Sequence, residues 1–462
     1  MKLTETIAAI STAPGEGGIS VIRLSGEKAF SVAEKFFFRD KERKNQIEIS
    51  ETNSHTVHFG YIFDNEDLKG QLIDEVLITI FKNPHSYTGE DVIEISCHGG
   101  AFIAQKILRL LLKNNVRHAE PGEFTKRAFL NGKMDLSQAE AVADLISSKT
   151  ESAHSSSIKQ LEGSLSEFVY KTRQDIINIV SLVELELDFA EEGLEFVKKE
   201  EILNMINSLN ERLRNIIASY ITGRVIREGV NLVIAGKPNS GKSSLFNYFL
   251  KTNRAIVSNI AGTTRDYIEE SIIINGVLFN LIDTAGLRHS IDEIESEGIK
   301  RSHKKIEEAD LIIYLIDSSD TKKEIKKETE HFNKDYKKEN TILAFSKSDL
   351  SKESSGENGI SISLLRDETI EELKKEMISK VTSGNISHTS EDIILTNLRH
   401  RICLENVVKS LDEASGTVKE GMSGEFISVD LRNALNHLGE ITGEVTNDDI
   451  LNNVFRNFCI GK

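Results

Sequence analysis

One loop in this chain has the residue types and spacing that hold a nucleoside triphosphate. Residues 236–243 read Gly-Lys-Pro-Asn-Ser-Gly-Lys-Ser and fit G-x-x-x-x-G-K-[ST], in which backbone N–H groups turn inward onto phosphate oxygens. Lys242 can reach the β- and γ-phosphates, and the hydroxyl of Ser243 can hold Mg²⁺. A strand-like apolar run, 230–235, precedes the loop, and a helical pattern, 244–250, follows it. The sequence therefore predicts a helix whose N-terminus faces the phosphates.

Two segments downstream of this loop fit the switch regions of a nucleotide hydrolase. Asp283 ends an apolar run and can hold Mg²⁺ through water, while the N–H of Gly286 can bond the γ-phosphate. Thr264, within residues 262–266, can complete the Mg²⁺ shell when the γ-phosphate is present. Leu287 stands where many GTPases place a catalytic Gln. Because a leucine cannot orient water, hydrolysis needs another device.

A third segment is a candidate for binding the base. Residues 346–349, Ser-Lys-Ser-Asp, correspond to the Asn-Lys-x-Asp motif of GTPases. Asp349 can accept hydrogen bonds from the ring N–H and amino group of guanine, which adenine cannot supply. Ser346 replaces the Asn whose amide would brace the base pocket, so we expect guanine selectivity to be kept and affinity to be modest. Residues 361–364 are a candidate for a further base-contacting loop.

Composition is typical of a soluble globular protein with two or three domains, because 462 residues are 39% hydrophobic and 28% charged. A net charge of −16 argues against a surface broadly coated for nucleic acid and leaves a local basic patch open. Cys97, Cys403 and Cys459 form no C-x-x-C pair, which favours a reducing compartment without disulfides or zinc. We find no signal-peptide pattern and no apolar run near the ~20 residues of a membrane span, so we expect a cytoplasmic protein.

The order of strand and helix patterns divides the chain into four segments. Residues 1–118 alternate between the two patterns, which predicts an α+β domain. Residues 119–222 carry long amphipathic helical patterns, and residues 223–382 return to the strand–helix alternation of a doubly wound parallel sheet. Helices resume in residues 383–462, so we expect the α/β block to be inserted into one helical domain.

Three local patterns add predictions of detail. Residues 28–38 indicate one continuous helix. Ser137 followed by Glu140 fits a capping box at the start of a helix. The charged stretch 322–338 is typical of a solvated helix face or loop, and we do not interpret His331 within it as a metal ligand.

Several short segments together resemble the MnmE (TrmE) family of tRNA modification GTPases, and they are scattered over nearly the whole chain. These segments are residues 14–18, 88–91, 98–100, 121–124, 131–136, 236–244, 262–266, 283–288 and 458–462. The resemblance implies an N-terminal α+β folate-binding-like domain, a helical domain and an inserted Ras-like doubly wound P-loop G domain.

The resemblance also implies an activity and partners. Members of the family add a carboxymethylaminomethyl or aminomethyl group to carbon 5 of the wobble uridine of certain tRNAs, using a tetrahydrofolate one-carbon donor. They act as homodimers, formed through the N-terminal domain, with the FAD-dependent partner MnmG (GidA) in a heterotetramer or larger assembly. Their GTP hydrolysis uses Mg²⁺, is activated by K⁺ and is driven by dimerisation of the G domains.

Site residues follow from the same resemblance by motif matching. Those that would bind GTP are Asn239, Ser240, Gly241, Lys242, Ser243, Ser244, Ser258, Asn259, Ile260, Ala261, Gly262, Thr263, Thr264, Asp283, Thr284, Ala285, Gly286, Ser346, Lys347 and Asp349. Those that would hold metal are Ser243 and Thr264 for Mg²⁺ and Asn239, Ser258, Ile260 and Thr263 for K⁺. The catalytic residues would be Glu295, which orients the attacking water, Arg265 and Cys459. Folate would be held by Arg23, Glu94, Lys133 and Lys462.

Two other classes of protein remain open at this point. A ribosome-assembly or signalling GTPase would hydrolyse GTP without modifying a nucleoside, and the folate-like N-terminal segment and the Cys459 tail argue against it. A P-loop ATPase would not use Asp349, because adenine cannot supply the hydrogen bonds that this carboxylate accepts. Binding of formyl-tetrahydrofolate tests the first class, and the nucleotide preference of an Asp349→Ala variant tests the second.

Overall fold

The computed structural model describes most of the chain and divides it into two compact units. The described residues are 5–64, 70–188, 198–253, 269–282, 309–336, 339–350, 359–382, 393–456 and 458–462. The first unit comprises Met1–Ala143, Gln160–Ile177 and Leu435–Lys462, and the second comprises Asp144–Lys159 and Asn178–Ala434. None of the helices in the described ranges has the length and apolar character that a membrane span requires.

A seven-stranded sheet forms the N-terminal part of the first unit. Its strands are β1 (Ile7–Ile10), β2 (Ile19–Ser25), β3 (Phe37–Phe38), β4 (Thr56–Asp64), β5 (Gln71–Phe81), β6 (Val92–His98) and β7 (Arg117–His118). The strand order is β3-β4-β5-β6-β2-β1-β7, and every pair is antiparallel except β1 with β7. A short 3-10 helix, Ile49–Glu51, and helices α1 (Ala29–Glu34) and α2 (Ala101–Leu112) complete this part.

Side-chain alternation along the strands separates an apolar face of this sheet from a face that carries polar residues. On β2, Ile22 and Leu24 are fully buried in the core that α1 and α2 share. Arg23 lies between them and therefore points to the opposite face. Glu94 occupies the equivalent place on β6, between two buried isoleucines, and lies directly opposite Arg23 in the register. The sequence pattern thus brings these two charges together.

The prediction of one helix over residues 28–38 is wrong at its C-terminal end. Helix α1 ends at Glu34, and Phe37–Phe38 form β3, which pairs with Ile62 and Tyr61 of β4. Phe37 is fully buried in the sheet core. Burial of an aromatic side chain against a neighbouring strand therefore outweighs the local helical pattern.

The remaining helices follow the sheet in chain order. They are α3 (Glu123–Leu130), α4 (Leu136–Ser147), α5 (Glu151–Leu161), α6 (Ser164–Asp188), α7 (Lys199–Ala218), α8 (Tyr220–Glu228), α9 (Lys242–Asn253), α10 (Lys322–Asp335), α11 (Asp367–Thr382), α12 (Leu398–Lys419), α13 (Gly424–Thr442) and α14 (Asp448–Arg456). In the first unit, α4 and α14 share a core of Leu136, Ala139, Leu451 and Phe455 with Phe458 of the C-terminal tail. In the second, α7 packs along α12.

Asp135, and not Ser137, caps the N-terminus of α4. The Asp135 carboxylate accepts a hydrogen bond from the Gln138 N–H at 2.9 Å, and the Gln138 side chain accepts one from the Asp135 N–H at 3.0 Å. This reciprocal pair is a capping box, in place of the predicted pair of Ser137 and Glu140. Ser137 lies inside the helix and donates its hydroxyl proton to Asp135 at 3.0 Å.

A six-stranded sheet forms the centre of the second unit. Its strands are β8 (Val230–Gly236), β9 (Glu269–Ile274), β10 (Val277–Ile282), β11 (Leu311–Asp317), β12 (Thr341–Ser346) and β13 (Ile360–Ser361). The order is β13-β12-β11-β8-β10-β9, and every pair is parallel except β9 with β10. One face has a core that contains Phe249 of α9 and Met377 of α11, and the other has a core that contains Phe332 of α10. Helices on both faces of a mostly parallel sheet confirm the predicted doubly wound architecture.

The predicted fold class is confirmed, with an α+β part, a helical part and a doubly wound sheet all present. The boundaries proposed at residues 118, 222 and 382 stay predictions. The sheet of the first unit ends with β7 at His118, and the sheet of the second lies between Val230 and Ser361.

For an Asp135→Ala variant we expect the free energy of unfolding to fall by about 1 kcal/mol, because the first turn of α4 loses its cap. Thermal unfolding should show a lower melting temperature for the transition that includes the first unit. Asp135→Asn is the matched control, since Asn caps a helix about as well as Asp. Equal melting temperatures for the Ala and Asn variants would contradict the assignment of the cap.

Candidate functional site

The predicted phosphate loop lies between the end of β8 and the start of α9. Gly236 has a φ of 135°, and a Cβ there would lie 2.3 Å from the Leu315 carbonyl oxygen, so only glycine fits. Asn239 and Gly241 also have positive φ values, of 65° and 94°. These conformations form the turn that leads from the end of β8 directly to the N-terminus of α9.

The side chain of Lys242 folds back onto the start of this loop. Its Nζ donates to the Gly236 carbonyl at 2.9 Å and to the carbonyl of Lys237. The ammonium group is therefore positioned by backbone oxygens of the loop that would surround the phosphates. Ser243 and Ser244 lie in the first turn of α9 and are exposed.

The end of β12 is tied to the same loop by two side chains. The Ser346 hydroxyl donates to the Ser240 carbonyl at 2.7 Å, and Lys347 Nζ donates to the Asn239 carbonyl at 3.0 Å. Lys347 also forms an ion pair with Asp317 at the end of β11. Burial alone would raise the pKa of Asp317, but hydrogen bonds from Lys347 and Ser319 hold that pKa below its usual value. Ser346 thus still joins β12 to the phosphate loop through its hydroxyl, although it lacks the amide of an Asn.

Asp349 is oriented by the loop that follows β13. The Ser363 hydroxyl donates to Asp349 Oδ1 at 2.6 Å, and this bond lowers the pKa of the carboxyl below its usual value. The Ser348 N–H donates to the Ile362 carbonyl at 3.1 Å, which joins the two segments through the backbone as well. The structure therefore brings the predicted loop 361–364 to Asp349.

Many predicted nucleotide residues lie outside the described part of the chain. They are Ser258, Asn259, Ile260, Ala261, Gly262, Thr263, Thr264, Arg265, Asp283, Thr284, Ala285, Gly286 and Glu295. Their roles stay predictions. Among the described residues, no group of three or more His, Cys, Asp or Glu side chains is arranged to hold a metal ion.

An ion pair between the phosphate loop and α10 was not predicted from the sequence. Lys237 Nζ lies 2.6 Å from Glu328 Oε2, and the Tyr314 hydroxyl donates to Glu328 Oε1 at 2.6 Å. Glu328 and Phe332 are buried, so the charged stretch is not entirely a solvated face, contrary to expectation. The signal was present, because Glu328 falls between Ile325 and Phe332 at helical spacing, on the stripe that faces the sheet.

Predicted folate residues meet on the polar face of the first unit's sheet. Arg23 Nη2 lies 2.8 Å from Glu94 Oε1, and Arg23 Nε donates to the same oxygen at 2.9 Å. The Arg23 guanidinium also lies 5.2 Å from the Tyr87 ring and 5.5 Å from the Phe124 ring, two residues that the sequence analysis missed. Lys133 Nζ donates to the Pro84 carbonyl at 3.1 Å, in the segment between β5 and β6 that also carries Tyr87.

The C-terminal tail docks on the same unit. The Gly122 N–H donates to the Cys459 carbonyl at 3.3 Å, and the Cys459 thiol is free and exposed. Gly461 has a φ of 94°, and a Cβ there would lie 2.4 Å from the Ile10 carbonyl oxygen. Ile10 ends β1, and β1 pairs with β2, the strand that carries Arg23. The tail therefore approaches the edge of the predicted folate face. Lys462 follows directly.

A buried ionic network holds α3 beside this face. Glu123 accepts hydrogen bonds from Arg117 Nη1 and Arg127 Nη2 at 3.0 Å each and from the Glu120 N–H at 2.9 Å. Arg127 also pairs with Glu90 at 3.0 Å. Burial alone would raise the pKa of Glu123, but these bonds outweigh it and hold the pKa below its usual value. The network fixes the start of α3, where Phe124 contacts Arg23.

Comparison with known proteins gives full-length matches. The family model described as "MnmE helical domain" matches residues 136–459, and the model described as "GTP-binding protein TrmE N-terminus" matches residues 6–133. The tRNA modification GTPase MnmE of Christiangramia forsetii is 40% identical over 484 residues, which cover 100% of both chains. The tRNA modification GTPase MnmE of Clostridioides difficile is 43% identical over 471 residues, again covering 100% of both chains.

For a Glu123→Gln variant we expect the free energy of unfolding at pH 7 to fall by about 3 kcal/mol, because two arginines lose their buried carboxylate partner. The lowered pKa of Glu123 sets the sign of the pH dependence. Its stabilisation is present above the unfolded pKa of about 4.3 and is lost as pH falls through the folded pKa. Urea unfolding should therefore show that the difference in the free energy of unfolding between wild type and variant becomes smaller at acidic pH. Glu120→Gln, at an exposed neighbour, is the control, and a difference that is constant with pH would contradict the network.

Proposed function

Because the chain belongs to the MnmE family of tRNA modification GTPases, we propose that it installs a carboxymethylaminomethyl or aminomethyl group at carbon 5 of the wobble uridine of certain tRNAs. The protein is a GTP hydrolase that acts in tRNA modification. This excludes an ATPase or a switch without a role in modification. The proposal adds the position of the modified atom, a tetrahydrofolate one-carbon donor, the FAD-dependent partner MnmG and action in the cytoplasm. The observation that supports this proposal is the full-length match to the family.

The described half of the nucleotide site supports the assignment of residue roles. Lys242 would neutralise charge on the β- and γ-phosphates, since backbone carbonyls already hold its ammonium group at the loop. Asp349 would accept hydrogen bonds from guanine, and Ser363 holds its carboxylate for that task. Arg265 and Glu295 would act on the γ-phosphate side, with Glu295 orienting the attacking water in place of a Gln.

The donors that are described suit the proposed metal ions. Ser243, in the first turn of α9, offers a hydroxyl oxygen of the kind that Mg²⁺ prefers, with Thr264 as the second protein donor. Asn239 offers an amide oxygen for K⁺, and Lys347 holds its backbone in the loop. Ser258, Ile260 and Thr263 would complete the K⁺ shell. Bound there, the two cations would neutralise charge that develops on the phosphates.

Folate binding by the first unit is supported by the chemistry of the polar sheet face. The Glu94 carboxylate can accept hydrogen bonds from the ring N–H groups of a pterin, and Tyr87 offers an aromatic surface beside the Arg23 guanidinium. Lys133 and Lys462 would bind the carboxylates of the folate glutamyl tail. Cys459, exposed on the neighbouring tail, would act in the modification itself.

A homodimer is supported by exposed apolar side chains on the same sheet face. Val57 and Phe59 of β4 and Leu77 of β5 are 59%, 53% and 43% exposed. Phe59 lies opposite Leu77 in the register, and Leu77 lies opposite Ser96, on the face that Glu94 shares. Adjacent exposed apolar residues of this kind mark interaction surfaces. We propose that a second copy of the chain covers them.

Nucleoside analysis of bulk tRNA tests the proposed modification. We expect cells that lack the protein to lose carboxymethylaminomethyl and aminomethyl uridines and to regain them when the wild-type chain is supplied. Cys459→Ala should fail to restore them, whereas Ile460→Ala, at the exposed next residue, should succeed. Fully modified wobble uridines in cells without the protein would refute the proposal.

GTP hydrolysis rates in K⁺ and Na⁺ at equal ionic strength test the monovalent site. We expect faster hydrolysis in K⁺, because the ion would neutralise phosphate charge in the transition state. Asn239→Ala should reduce the difference between the two salts, by about tenfold if a single donor is decisive. Asn247→Ala, on the exposed side of α9, should leave the difference unchanged. Equal wild-type rates in both salts would rule out the K⁺ site.

A further inference from the structure

The hydroxyl of Ser346 has one proton, and it donates this proton in a hydrogen bond to the phosphate loop. Ser346 is buried, and its Oγ donates to the Ser240 carbonyl at 2.7 Å, with the Ile316 carbonyl at 3.3 Å as a weaker second acceptor. Both contacts are carbonyl oxygens, which can only accept. The side chain can therefore still accept hydrogen bonds, but it has no proton left to donate to a ligand.

Guanine presents the acceptor N7 on a part of the ring that lies away from the ring N–H and the 2-amino group, the groups that would meet Asp349. Recognition of N7 requires a donor. The amide of an Asn offers two N–H groups and can bond both the loop and the base, whereas the serine hydroxyl offers one. The nearby ammonium of Lys347 is held on the loop side by the Asn239 carbonyl and Asp317.

We propose that Ser346 is a positioning residue that fixes the phosphate loop to the end of β12 and donates no hydrogen bond to N7 of guanine. Selectivity for guanine then rests on Asp349, which meets the ring N–H and the 2-amino group and is held by Ser363. This inference rests on the proposed guanine site and adds which atoms of the base are recognised there. It predicts tolerance of purines altered at N7 and intolerance of purines altered at the 2-amino group.

Equilibrium binding of GDP, 7-deaza-GDP and IDP to the full chain tests this specificity. We expect 7-deaza-GDP, in which C–H replaces N7, to bind within about twofold of GDP, since no hydrogen bond is lost. IDP lacks the 2-amino group and should bind about tenfold or more weakly, because a bond to a charged acceptor is lost. A wild-type loss of more than about fivefold toward 7-deaza-GDP would overturn the proposal.

Variants at position 346 separate the two roles of the residue. Ser346→Asn should gain affinity for GDP and leave 7-deaza-GDP unimproved, so that the two ligands differ by about fivefold. Ser346→Ala should weaken both ligands in the same ratio, because only the tie to the loop is removed. Ser346→Thr keeps the hydroxyl and is the matched control. An alanine variant with wild-type affinity for both ligands would show that the tie has no positioning role.

Asp349→Ala distinguishes failure of this inference from failure of the guanine site. If that variant keeps a wild-type preference for GDP over ADP, the site itself is wrongly assigned. If the preference is lost while wild type rejects 7-deaza-GDP, only the inference about Ser346 fails. Should the asparagine variant fail to fold, the wild-type comparison of the three ligands still decides the specificity claim.

Discussion

The nucleotide site depends on hydrogen bonds from the end of β12 to backbone carbonyls of the phosphate loop. The loop has positive φ values at Gly236, Asn239 and Gly241, and it is held both by Lys242 from within and by side chains of β12 from outside. Ser346 and Lys347 bond two successive carbonyls of that loop. Through Asp317, the ion pair of Lys347 extends the support to β11. The parts that we propose to contact phosphate and base are therefore joined to one another by hydrogen bonds and an ion pair.

The first unit follows a different constraint, the alternation of side chains on a sheet that is covered on one face. Because Arg23 and Glu94 each lie between buried isoleucines or leucines, their position on the opposite face is fixed by the core. A register shift of one residue would bury both charges. The Glu123 network adds a second restraint by holding Phe124 against Arg23.

Much of this arrangement could be predicted from the sequence, since it depends on local pattern. The continuous apolar runs of β11 and β12 predicted buried parallel strands, whereas the polar face of the first sheet became apparent only from the structure. The errors came where a contact other than the one suggested by the local pattern decides the structure. Pairing with β4 converts Phe37–Phe38 to a strand, and Gln138 selects Asp135 as the cap. The bond from Ser346 to Ser240 joins residues far apart in sequence, so no pattern within either segment could have predicted it.

The make-up of the first unit bears on how the chain is synthesised. Its core joins Leu136 and Ala139 of α4 to Leu451, Phe455 and Phe458, which lie more than three hundred residues later in the chain. A nascent polypeptide therefore carries an incomplete apolar cluster while the whole second unit is being translated. Chains released before Leu451 would expose that cluster permanently, and chaperones and proteases recognise such surfaces. The apolar cluster of the first unit is therefore complete only after the C-terminal segment has been translated.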